Sequence, residues 1–117
     1  MTDLTKSQKK HLRQLGKDCY EKEMSLALET LYEDFQKWKK SEISTWELND
    51  KIIEHHDETA RELWRVYEQV KDPSFGVSAA LAKGIIHIEE IQENCRELVE
   101  RKIEVYQLKN QKGSTTN

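Results

Sequence analysis

The chain has 117 residues, 36% hydrophobic and 35% charged, with one proline, four glycines and a formal net charge of −3 at pH 7. That length supports a single domain burying ~65% of its unfolded surface. So little proline and glycine excludes a turn-rich β fold, and the net acidity excludes a global cationic field drawing the protein to nucleic acid or membrane.

Thr5 with Gln8 forms a capping box opening a first helix that runs to about Lys40, ~50 Å at 1.5 Å per residue. Leu12, Leu15 and Cys19 make one apolar row on it, and Met24, Leu28, Leu31, Phe35 and Trp38 a second. The rows are out of phase, so the buried face is expected to rotate near Glu21 to Glu23. Gly16 lowers helix stability by ~1 kcal/mol relative to alanine and permits a bend or a close backbone approach. The first turns carry Lys6, Lys9, Lys10, Arg13 and Lys17 with no acid from Lys6 to Lys17. Cations there oppose the helix macrodipole. Docking against the acids of the last helix (Glu89, Glu90, Glu93, Glu97, Glu100) explains the violation, as do simple solvation and a phosphate-bearing partner. No aromatic residues interleave with these lysines to stack bases.

A second capping box, Ser44 with Glu47, and an Ile43–Leu48 hydrophobic staple start the central helix. Leu48, Ile52, His56, Ala60, Leu63, Tyr67 and Val70 then recur at four–three spacing, which puts them on one face. His56 in that stripe is expected to be a mostly buried imidazole, with a ligand or proton-transfer role as the sharper alternative. Beside it run Asp50, Glu54, Asp57 and Arg61, with an Asp57–Arg61 salt bridge expected from the (i, i+4) spacing. Asp72-Pro73 ends the helix.

A short helix follows from about Ser74, with a small apolar face and Gly84 as its left-handed cap. Ile86 and Ile91 bracket His87 and Glu90 as a further staple, with His87 as N-cap. The final helix aligns Ile88, Ile91, Cys95, Leu98 and Val105, with Val99, Ile103 and Tyr106 beside them. Cys19 and Cys95 form no CxxC pair and fit reduced thiols better than a disulfide framework. Residues 1–110 are read as one helical domain and 111–117 as a disordered polar tail. No apolar run approaches the ~20 residues of a membrane span and no secretory leader is evident, so a cytoplasmic protein is expected.

The catalytic templates of helical bundles find little support. Di-iron sites need Glu-x-x-His pairs, and no glutamate lies three residues before any of the 4 histidines. HExxH and zinc-spaced Cys/His clusters are absent. His56-Asp57 is a lone HD pair. Glu47/Asp50 and Glu54/Asp57 supply ExxD twice, without the ExxE that MazG-type pyrophosphohydrolases place before it.

Lys9, Lys10, Leu12, Arg13 and Leu15, then Phe35, Trp38, Glu42 and Ile43, then Glu47, Leu48, Asp50, Ile52, His56 and Ala60 to Leu63, and later Val77, Ala80, Gly84 and Ile85 carry a resemblance. Together they resemble a family of small, uncharacterised all-helical bacterial proteins with KKxLRxL, FxxWxxGEI, ELxDxIHxFHxGxARELY and VAxAIxxGxI segments. The likeness covers most of residues 9–86, and the middle motif is its specific part. It implies the fold and leaves the function open. Ile53 stands where the pattern has its first histidine and Glu58 where it has glycine, so a metal shared by histidines three apart is not implied here.

The expected fold is all-α: a long antiparallel hairpin (about 5–40 and 45–71) with a short third helix and a fourth helix packed on it, bundle-like. The expected function is a non-enzymatic protein-interaction or regulatory module engaging its partner through Asp50, Glu54, His56, Asp57 and Arg61. The partner is a protein, a second copy of the chain included, with no cofactor and no membrane. Two alternatives stand beside it: a metal-dependent or small-molecule hydrolase using the same face, and nucleic-acid binding through Lys6, Lys9, Lys10, Arg13 and Lys17.

Overall fold

Thr5 begins the first helix as its spacing to Gln8 requires: its hydroxyl accepts from the Gln8 amide at 3.1 Å, and the Gln8 side chain accepts from the Thr5 amide at 2.8 Å. The computed structural model describes residues 4–114, with side chains through residue 108. Helix α1 spans Lys6–Lys39, and its length sets the long dimension of a molecule 56 × 31 × 20 Å. The chain reverses through Ser41, which takes a left-handed φ of 62°. The indole N–H of Trp38 donates to the Thr45 hydroxyl at 3.1 Å and ties the turn together.

Helix α2, residues 45–69, starts at the expected box, with Ser44 and Glu47 exchanging hydrogen bonds of 3.0 and 3.1 Å. It is continuous but not uniform: Thr45–Glu54 is α-helical, His55–Ala60 is π, Arg61–Trp64 is α and Arg65–Gln69 is π again. Wider π turns change which residues share a face. Leu48, Leu63 and Val66 are buried, His55 and Ala60 are half-buried, and His56 has swung off the stripe into solvent.

Helix α3, Pro73–Ala82, starts at Asp72, whose carboxylate accepts from the Ser74 amide at 3.0 Å and the Ser74 hydroxyl at 2.6 Å. It is buried on every side from Ser74 to Ala80, more completely than the one small face expected from its sequence. A helix apolar all round belongs inside, and small residues let its neighbours close in. The buried Ser78 hydroxyl shares its proton between the carbonyls of Ser74 (2.6 Å) and Val99 (3.0 Å). Gly84, at φ 76°, ends the helix as expected.

Helix α4, Glu93–Ser114, begins later than the His87 cap suggested. Ile86 and Ile91 are both buried, but between them lies a single 3-10 turn, Ile88–Glu90, and Ile91 itself is extended. The helical backbone continues to Ser114, inside the stretch expected to fray; residues 115–117 lie outside the described residues.

The core gathers Leu12, Cys19, Val77, Ala80, Ile86, Ile91, Cys95 and Val99, with a second cluster of Val66, Phe75, Ala79 and Tyr106. Both cysteines are buried and free. Burial, with the Glu23 carboxylate adding to it, pushes the Cys19 thiol up to about 11. Among the described residues the fold is all-helical, four helices packed as a bundle at one end of a long hairpin.

Two glycines make opposite predictions. A Cβ on Gly76 would lie 2.7 Å from the Tyr67 ring, whereas one on Gly16 would meet only Val77 at 4.0 Å. Gly76→Ala should therefore lower unfolding stability by ~1–3 kcal/mol through overpacking. Gly16→Ala should raise it by ~1 kcal/mol. Urea unfolding of the two variants reads both signs.

Candidate functional site

The five residues singled out on α2 come from its first α stretch (Asp50, Glu54), its first π stretch (His56, Asp57) and the start of its second α stretch (Arg61). Asp50, Glu54, His56, Asp57 and Arg61 are all exposed. The His56 side chain is 86% exposed, and its one hydrogen bond joins Nδ1 to the neighbouring Asp57 at 3.0 Å. The expected burial of His56 is thus corrected: eight residues past Leu48, two four-residue steps have carried it about 80° round the helix from the buried side. The expected Asp57–Arg61 bridge is also not formed; the Asp57 carboxylate meets His56 instead. No carboxylate from another helix meets His56. Among the described residues no three His, Cys, Asp or Glu side chains are grouped to hold a metal ion.

These residues belong to a bare arm. No described residue between 20 and 65 joins either core cluster, and in that stretch Leu48 and Leu63 alone are fully buried among the described residues. A recess of about 230 Å³ runs along one side, lined by Ala27, Thr30 and Asp34 from α1 and by Lys51, Glu54 and His55 from α2. Helical spacing puts Leu28, Tyr32 and Phe35 on the other flank of Leu31, and Ile52 and Ile53 on the matching flank of Leu48. All five are exposed, Tyr32 to 61%, and Trp46 near the hairpin turn reaches 78%. Composition gave no warning of these exposed side chains. Their signal was an apolar row broader than the single seam one partner helix can cover.

The cationic patch lies at the other end of α1. Lys6, Lys9, Lys10, Arg13 and Lys17 are exposed, and among the described residues none has a carboxylate partner. Docking of these lysines onto the acids of the last helix is therefore not what happens. The first turns of α1 do meet the start of α4, but through neutral groups: Gln8 donates to the Asn94 carbonyl at 3.0 Å, and His11 Nε2 accepts from the Gln92 amide at 3.0 Å. Glu97 pairs instead with Arg101 on its own helix at 2.6 Å.

Lys10, Arg13 and Lys17 line a cavity of about 490 Å³ between α1, the end of α2 and the start of α3, where Lys71, Glu68 and Asp72 join them. Tyr67 forms part of the wall. Its ring stacks on Tyr20 (centroids 5.3 Å, planes 12° apart), and its hydroxyl donates to Glu23. Burial, reinforced by that carboxylate, drives the Tyr67 hydroxyl far above its usual range, so it serves as a fixed donor. Lys83 closes the cluster, 2.8 Å from both Glu23 oxygens. Sequence reasoning missed Lys71 in the cavity and the Glu23–Tyr67–Lys83 cluster, since the residues come from α1, α2, the connection after α2 and the end of α3 and share no local spacing.

Compared with family models, curated proteins and solved structures, the chain shows no significant match to any. No helix among the described residues is long and apolar enough to cross a membrane.

Asp72 gives a pH prediction. Burial raises its carboxyl, but hydrogen bonds from the Ser74 hydroxyl, Lys102 and the Ser74 amide outweigh that and hold it below its ordinary 3.8. A carboxyl depressed in the folded state contributes stability above its unfolded pKa and loses it as pH falls through the folded one. Asp72→Asn keeps the cap but loses the charge that Lys102 meets at 2.9 Å, so it should cost up to about 1 kcal/mol near neutrality. The gap to the parent should narrow below pH 3.8 in a series of thermal unfolding curves.

Proposed function

We propose that the protein is a non-enzymatic interaction module whose docking surface is the bare arm of the α1–α2 hairpin. The observation that carries this reading is the exposed apolar row of Leu28, Tyr32, Phe35, Ile52 and Ile53 on one flank of a two-helix arm. Aromatic side chains bury ~150–250 Å² each when covered, so the row offers on the order of a few hundred Å², the size at which a patch marks an interaction site. An interface has an apolar centre and a polar rim; Asp50, His56 and Asp57, three or four residues from Ile53, supply part of that rim, while Glu54 lines the recess on the opposite side and Arg61 lies on the same face as Glu54. A second hairpin laid on this flank completes a four-helix bundle, and a second copy of the chain is the occupant we propose. The buried, protonated thiols of Cys19 and Cys95 fit a cytoplasmic setting. The resemblance to the family of small bacterial proteins belongs to the same proposal and rests on the middle motif.

Light scattering across a concentration series should show the mass rising from 13.9 kDa toward twice that value. Leu28→Lys with Ile53→Lys should hold it at one chain with helicity unchanged, since both side chains already face solvent. A parent that stays monomeric, with hydrolysis that needs a divalent metal and vanishes in Asp57→Asn, would put the hydrolase reading in its place.

A further inference from the structure

The cavity at the base of the hairpin gathers cations beside the core. Near Lys10 and Lys17 the core-facing side of α1 is carried by Leu12 and Cys19, out of register with Met24, Leu31 and Trp38 farther along. The second π stretch of α2 closes at Gln69, and there, beside Lys10 and Lys17, a cavity of about 490 Å³ opens. Arg13 from the same helix and Lys71 from the end of α2 converge on it.

The charge balance inside is one-sided. Four cations, Lys10, Arg13, Lys17 and Lys71, face two carboxylates, Glu68 and Asp72. Asp72 is already engaged by Lys102 at 2.9 Å and by Ser74 at 2.6 Å. Among the described residues none of the four cations has a hydrogen-bond or ion-pair partner. This is the reverse of a protein whose net charge is −3. Cations converging from two elements on a concave wall are the chemistry that holds a phosphate dianion. The rest of the wall is mostly apolar, built from Leu12, Tyr67, Val70 and Pro73 with Gly16 and Gly76, and Gln14 adds a neutral amide. A cavity of this size lies within the range of small-ligand sites.

The geometry points to a binding site for a phosphate monoester of mononucleotide size, with the phosphate held by Lys10, Arg13, Lys17 and Lys71 and the remainder against the apolar wall. This site is separate from the arm and stands independently of the interaction reading.

The test is a titration with adenosine monophosphate, inorganic phosphate, adenosine and a single-stranded oligonucleotide, followed by the amide NMR signals of Gly16 and Gly76. The monophosphate should move both signals saturably, inorganic phosphate should move the same signals more weakly, and adenosine should leave them unmoved. Lys10→Gln with Lys17→Gln should weaken binding about tenfold, the order expected for lost charge-assisted contacts. Lys6→Gln with Lys9→Gln removes the same charge outside the cavity and should change affinity less than about twofold. Glu68→Gln should tighten it. No saturable shift with the monophosphate overturns the proposal, and so does equal loss in the two lysine pairs. Oligonucleotide binding that depends equally on all four lysines overturns it too, assigning the patch to nucleic acid.

Discussion

Helix α3 has to be thin. Helices α1, α2 and α4 all pack on it, so Pro73–Ala82 is made of small residues, and only Phe75, Val77 and Leu81 carry any bulk. At Gly76 the space a Cβ would need is taken by the Tyr67 ring. That ring is flanked by Tyr20, and its hydroxyl reaches Glu23, which in turn receives Lys83 from the C-terminal end of α3. The approach of α2 to α3 therefore places the polar contact that locks both to α1. Thin helices built partly from serine bury hydroxyls, and a buried hydroxyl without a partner is costly. Ser74 and Ser78 both have partners, and no buried side-chain nitrogen or oxygen among the described residues is left without one.

The same helix explains the bare arm. Ten residues of α3 cover ~15 Å, whereas the 34 residues of α1 extend ~50 Å. Helix α4 lies on α3, with Val99 reaching Ser78, Phe75 against Tyr106 and Lys102 on Asp72, so it adds depth at the base and no cover along the arm. Beyond the short helix, α1 and α2 have only each other. A pair of helices buries one seam, yet each carries an apolar band wider than a seam. The excess must face solvent or a partner.

How much of this could be read from residues alone follows from the range of the interactions concerned. The caps at Thr5 and Ser44, the stop at Asp72-Pro73 and the left-handed Gly84 are settled within four residues of chain, and local spacing found all of them. The all-α hairpin followed from periodicity. The π stretches could not be found that way. They answer to the packing of residues 55–69 against α1 and α3. His56 was misplaced for another reason: each four-residue step drifts about 40° round a 3.6-residue helix, and two steps past Leu48 take it off the buried side. The lysines of α1 were flagged by their offence against the helix dipole, but their setting was not legible, because the cavity wall comes from residues more than fifty positions away.

The two ends of α1 break the pattern of burial in opposite senses. Along the arm, apolar side chains stand where water is; at the base, cations without carboxylate partners among the described residues line a cavity beside the core. Neither is a defect of packing, since the core between them is closed and its polar groups are satisfied. Apolar exposure lowers solubility without adding to folding stability, and cations at a helix N-terminus act against the dipole. Local rules that fail together, at surfaces the core does not need, are where a chain is built for something other than its own stability. The arm and the basal cavity are joined by one uninterrupted helix, and the Tyr67–Glu23–Lys83 contact ties α1 to its neighbours where the two meet.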